Sequence, residues 1–101
     1  MGPGFAEKVY HNAIKMVFDE QNIKYGTEKE YKVFFQNKQI GTLRVDLVVE
    51  DKAILEIKAL AGYIPQICKY QVVSYLKVSK LPVGLLVNFG NKSCQVKRII
   101  N

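Results

Sequence analysis

Residues Arg44 to Ala59 narrow the available folds more than any other stretch of this chain. Two β-branched and aliphatic runs, Arg44–Val49 and Ala53–Ala59, flank the charged residues Glu50, Asp51 and Lys52. That pattern is a hairpin signal. Pairing Val49 with Ala53 leaves Glu50–Lys52 as the loop. Asp46 then stands opposite Glu56, and Arg44 opposite Lys58. Alternation along a strand puts Asp46, Glu56 and Lys58 on one face. It puts Val45, Leu47, Leu55 and Ile57 on the other.

Two carboxylates directly opposite each other repel and cost stability. A divalent cation between them would remove the repulsion, and hard oxygen ligands suit Mg²⁺ or Mn²⁺. Two plainer readings stand beside this one. The register is off by one residue, or the acids are ordinary solvated strand charges.

The rest of the chain reads as elements around this hairpin. Gly2-Pro3-Gly4 is a turn or helix entry. Phe5, Val9, Ala13 and Val17 recur at helical spacing, widened by Ile14 and Phe18, and predict a helix from about Phe5 to Gln21. Asn22 and Gly26 bracket its end. Glu7 lies in the first turn, where a carboxylate interacts favourably with the helix dipole. A strand follows over Thr27–Gln36, then a tight turn at Asn37-Lys38. A second strand runs from Gln39 or Ile40 to Val49, with Gly41 a candidate bulge.

After the central hairpin, Gly62-Tyr63-Ile64-Pro65 opens a second helix with Pro65 in its first turn. Cys68, Val72, Tyr75 and Leu76 form its apolar stripe. Gln71 and Tyr75 are four apart and share a face; by itself Gln71 is a surface amide. Val83–Asn88 is a continuous apolar run, read as a buried strand. Gly90-Asn91 turns the chain into a last strand, Gln95–Ile100. The order is α-β-β-β-α-β-β, an α/β domain with a mixed sheet flanked by helices. The 101 residues suit one domain, residues 1–101.

Composition excludes several classes. There is no apolar run long enough to span a bilayer and no secretory signal, so the expectation is a soluble, cytoplasmic protein without membrane contact. Cys68 and Cys94 lack the spacing of a zinc site. His11 is the lone histidine, and no serine stands in a context for triad chemistry. The net charge is +6, and no acidic residue follows Glu56. Lys58, Lys69, Lys77, Lys80, Lys92, Lys97 and Arg98 do follow it. Such a field attracts polyanions, nucleic acid first among them; a plain solubility charge is the alternative.

Two carboxylates and an amine on one hairpin have a definite chemistry. The carboxylates hold a cation, which lowers the pKa of a bound water and neutralises a phosphate oxygen. Lys58 orients that water or stabilises charge developing on phosphorus. A positive flank holds the phosphodiester backbone. Together these imply metal-assisted hydrolysis of nucleic acid.

Asp46, a hairpin, then Glu56-Ile57-Lys58 resembles the PD-(D/E)XK pattern, and the element order is similar to that nuclease superfamily's restriction-endonuclease-like core. Gly4-Phe5-Ala6-Glu7-Lys8-Val9-Tyr10 resembles the GxxExxY signature. Val83–Gly90 and Lys97–Ile100 look like the C-terminal end of GxxExxY-type proteins. The resemblance implies Asp46 and Glu56 as metal ligands, the Ile57 carbonyl as a third contact, and Lys58 as the catalytic lysine. It implies Glu7 as an extra acid from the first helix. It likens Gln71 and Tyr75 to the QxxxY motif of RecB-like members.

The expectation is a Mg²⁺- or Mn²⁺-dependent nuclease acting on DNA, with Asp46, Glu56, Lys58, Glu7 and Gln71 in its site. Dimerisation is one route to a larger footprint on a substrate. The rivals are a non-catalytic nucleic-acid-binding or protein-interaction module that keeps the fold, and a structural domain with fortuitous motifs.

Overall fold

The loop Glu50–Lys52 sets the register of the whole molecule. Glu50 and Asp51 both adopt left-handed backbone (φ 56° and 52°), and the Lys52 amide donates to the Val49 carbonyl at 3.0 Å. This closes Val49 against Ala53, and Val48↔Ile54 and Leu47↔Leu55 follow. The expected register is the observed one over these pairs. Around it, a computed structural model describing residues 1–101 has seven elements. They are α1 (Glu7–Glu20), β1 (Tyr25–Phe35), β2 (Lys38–Val49), β3 (Ala53–Lys58), α2 (Gln66–Ser79), β4 (Val83–Asn88) and β5 (Gln95–Ile100).

The five strands form one sheet in chain order. β1, β2 and β3 are a meander of antiparallel neighbours. β3 and β4 are parallel, so α2 serves as their crossover. β5 returns antiparallel to β4. The α-β-β-β-α-β-β order and the mixed sheet are those expected.

Each helix covers its own core. Val45, Val48, Ile54 and Leu86 pack with Cys68, Val72 and Leu76 of α2. Leu47, Leu55, Ile57 and Val87 pack with Tyr10 of α1, joined by Ile14 and Phe18. On α2 the expected stripe is buried at Cys68, Val72 and Leu76, with Tyr75 half-buried beside it. Gly84 lets α2 approach, since a Cβ there would lie 2.5 Å from Val72 Cγ1. Pro65 is the N-cap and not a first-turn residue. It suits that place, because its extended ψ leads into the helix.

Four local expectations change. On α1 the buried stripe is Tyr10–Ile14–Phe18, while Phe5, Val9 and Val17 are exposed. The stripes are about one position apart around the helix, and contact with the sheet chooses between them. The irregularity in the first hairpin falls between Val33 and Phe34, with Ile40 as the residue skipped on β2 beside Gly41. The turn itself is Gln36-Asn37, both with positive φ, one residue earlier than expected.

The fourth change bears on the site. Val45 and Leu47 belong to opposite cores, although simple alternation puts them together. The β1–β2 ladder lacks the Glu28↔Asp46 pair, and Glu28 has φ 51°. This break rotates β2 locally, so Asp46 and Leu47 both turn toward α1.

Candidate active site

Glu56 is the only buried acidic residue, at 7% exposure. It lies between Leu55 and Ile57, whose side chains enter the α1 core, so it emerges on the α2 side with Lys58. Lys58 Nζ is 3.8 Å from Glu56 Oε1, an ion-pair distance too long for a hydrogen bond. Burial pushes the Glu56 carboxyl up to about 7, and the charges of Asp46 and Glu7 push the same way. The Lys58 ammonium opposes this without cancelling it.

Asp46 occupies the other side of the gap. The β2–β3 ladder ends at Leu47↔Leu55, so Asp46 and Glu56 are not a bonded cross-strand pair. Asp46 is half-buried in a cleft of about 540 Å³ beneath α1, together with Glu7, Lys8, His11 and Lys15. Its Oδ2 is 3.9 Å from His11 Nε2 and its Oδ1 is 3.9 Å from Arg44 Nε. The expected single face for Asp46, Glu56 and Lys58 is therefore corrected. Asp46 faces α1, while Glu56 and Lys58 face α2, because β2 rotates at Glu28–Asp46.

Across the α2 side, a second groove is lined by Lys58, Ile67, Cys68, Tyr70, Gln71 and Ser74. The Gln71 amide Nε2 donates to the Tyr75 hydroxyl at 2.8 Å, one turn away. Burial and the Glu56 charge hold the Tyr75 hydroxyl above its ordinary range, with the Gln71 bond acting the other way. Gln71 and Lys58 thus share a groove, and Glu7 and Asp46 share a cleft. Glu56 feels charge from both. The Ile57 side chain is buried, and Ile57 pairs with Val87 on the neighbouring strand.

His11 carries no role in the sequence reading, yet with Arg44 it is one of two basic groups 3.9 Å from Asp46. The available signal is its spacing: His11 is four residues from Glu7, one turn along the same helix face. Tyr10 has a structural explanation. Its hydroxyl donates to the Gly2 carbonyl at 2.7 Å and accepts from the Phe5 amide at 3.3 Å. Its ring stacks on Phe89 at 4.7 Å. It anchors the Gly2–Phe5 turn to the core, which holds the start of α1 and Glu7 in place.

A family model described as the PD-(D/E)XK nuclease superfamily matches residues 1–99. The chain belongs to that superfamily. Its mixed sheet with two helices is the superfamily's restriction-endonuclease-like α/β fold. The crystal structure of SSO0001 is similar, with a TM-score of 0.72 over 93% of this chain at 20% identity. At that identity the likeness concerns the fold. The chain spans 49% of the length of SSO0001. No curated protein matches it.

The donors fit a hard divalent cation in kind. They are oxygen ligands, and one of them is a buried carboxylate whose ionisation is disfavoured. No group of three or more His, Cys, Asp or Glu side chains comes together as a ready cage. Mg²⁺ characteristically uses one or two carboxylates, completing its shell with water and substrate phosphate.

Proposed function

We propose that this superfamily member is a metal-dependent nuclease that hydrolyses DNA phosphodiester bonds. One observation carries the reading. The buried Glu56 carboxylate lies within the field of two further acids, Asp46 and Glu7, with a single lysine 3.8 Å away. A fold gains no stability from that arrangement until a cation or a phosphate-bound cation arrives.

Asp46, Glu56 and the Ile57 carbonyl would hold Mg²⁺ or Mn²⁺, with Glu7 as a further oxygen. Such an ion supplies charge neutralisation at a phosphate oxygen and a lowered pKa for water. The chain's own residues do the rest. Lys58 donates hydrogen bonds to the attacked phosphate or to the incoming water, stabilising negative charge as it develops. Gln71, in the same groove as Lys58, is a positioning residue, its amide fixed by Tyr75. The basic residues after Glu56 hold the backbone of the polymer.

The test uses supercoiled plasmid and linear DNA with Mg²⁺, Mn²⁺ or chelator. Cleavage that needs the metal, and that disappears in Lys58→Ala and Asp46→Asn, is the expected result. A second reading, binding without cleavage, draws on the lack of a three-ligand cage. It predicts salt-sensitive binding that is indifferent to metal and to Asp46→Asn. That outcome would overturn the nuclease reading.

A further inference from the structure

The β1–β2 hairpin extends well past the sheet. From Lys38 to Asp46, β2 has only β1 as a neighbour, because β3 joins at Leu47. At the rise of a strand this is roughly 26 Å of two-stranded ribbon. The radius of gyration is 14.1 Å, above the about 13 Å expected of a compact chain of this size. The base of the ribbon rests on the α2-side core through Tyr31. From Phe34 to Thr42 every residue is exposed.

Two features of the ribbon stand out. Its tip carries exposed Phe34, Phe35 and Ile40, at 61%, 62% and 65% exposure. No element covers either face of the tip, so Phe34 and Phe35, successive residues on opposite faces of β1, are both exposed. Between Tyr31 and Arg44 the charges are Lys32, Lys38 and Arg44, and at the base of this stretch Glu30 stands opposite Arg44. Lys32 stands opposite Thr42, which shares a face with Arg44. Arg44 in turn reaches Asp46 at 3.9 Å. The outer ribbon is therefore basic on both faces, with Lys32 on the face of Phe34 and Lys38 opposite Phe35 on the other.

We propose that this ribbon is a duplex-DNA-binding arm. Lys32 and Arg44 on one face and Lys38 on the other contact phosphates on the two sides of a groove, and a phenylalanine at the tip presses against a base step at its end. The choice of DNA as occupant rests on the nuclease reading and on charge complementarity. A second copy of the chain would set three like charges against three, which opposes a homotypic contact through the same arm. An apolar wedge on a basic ribbon fits a polyanion whose bases can be unstacked.

The arm's exposure means that substitutions at its tip leave the core untouched. Binding is read by anisotropy of a fluorescein-labelled duplex of about 30 base pairs in EDTA, across a salt series. Lys32→Gln with Lys38→Gln is expected to lower the salt slope by about 2, at roughly 0.9 per phosphate contact. Phe34→Ala with Phe35→Ala is expected to weaken binding at least about 5-fold, with the salt slope unchanged. A 2-aminopurine base in the duplex should brighten with the wild-type protein and not with the phenylalanine variant.

Plasmid cleavage in Mg²⁺ separates the two claims. If the wild-type protein cleaves and the arm variants bind as it does, the arm proposal is overturned and the nuclease reading survives. If the wild-type protein neither binds nor cleaves DNA, both fall. If sedimentation shows a dimer that the phenylalanine variant dissolves, while DNA affinity is unaltered, the tip serves a second copy and the proposal is overturned.

Discussion

Replacing Glu56 by glutamine should make the metal-free protein more stable at alkaline pH, relative to wild type, by an amount the structure sets. The folded carboxyl sits at about 7, against an ordinary value of 4.5. The difference of about 2.5 units, at 1.36 kcal/mol per unit, is about 3 kcal/mol. A folded pKa above the unfolded one means that the folded protein holds the proton more tightly. Its stabilising contribution is complete below about 4.5 and is lost as pH rises through about 7. Glu56→Gln has no proton to lose there and should lack this part of the slope. The assay is urea or thermal denaturation of both proteins in EDTA, from acid to alkaline pH. At this chain length each kcal/mol corresponds to roughly 4–8 °C in melting temperature, so the divergence is readily measured. Parallel curves for the two proteins across the window would refute the claim that Glu56 is buried against its charge.

Mg²⁺ at about ten times its Kd should restore about 1.4 kcal/mol to the wild-type protein at alkaline pH, and less to Glu56→Gln, as measured by thermal shift. Lys58→Ala should raise the Glu56 pKa further, because the ammonium is what restrains it; carboxyl NMR titration reads this separately from any loss of cleavage. Gly90→Ala should destabilise severely, by about 3 kcal/mol or more, since its Cβ would lie 2.0 Å from the Leu60 carbonyl oxygen. Asn88→Ala should cost about 2–4 kcal/mol in denaturant unfolding. Its buried amide accepts from the Leu60 and Gly90 amides and donates to the Leu60 carbonyl, clasping the segment after β3 to the end of β4.

Much of the architecture is legible in the chain because its causes are local. The stripe of Cys68, Val72 and Leu76 is apolar at strict i, i+4 spacing, and α2 buries it while leaving Ile67 and Tyr70 exposed. Val83–Asn88 is apolar throughout, and β4 lies between β3 and β5 with α2 above it. α1 is harder to read, because it carries two overlapping apolar stripes. Tyr10 enters the core by stacking on Phe89, a residue near the other end of the chain. Nothing near Tyr10 in sequence reports that partner. His11 beside Asp46 is hidden for the same reason, since the helix and the strand meet only when the sheet closes beneath α1.

The Arg44–Ala59 hairpin divides these two kinds of information. Its residues alone determine the loop and the pairing of Val49 with Ala53, because three charged residues between two β-forming runs leave few other ways to turn. They also place Asp46, Glu56 and Lys58 close together along the chain. Tertiary structure alone decides which way each of them points. The break at Glu28, on a neighbouring strand, sends Asp46 toward α1. The layer supplied by α2 takes water from Glu56 and raises its carboxyl to about 7. Side-chain alternation is a property of one strand, whereas burial and field depend on what the rest of the chain lays over it.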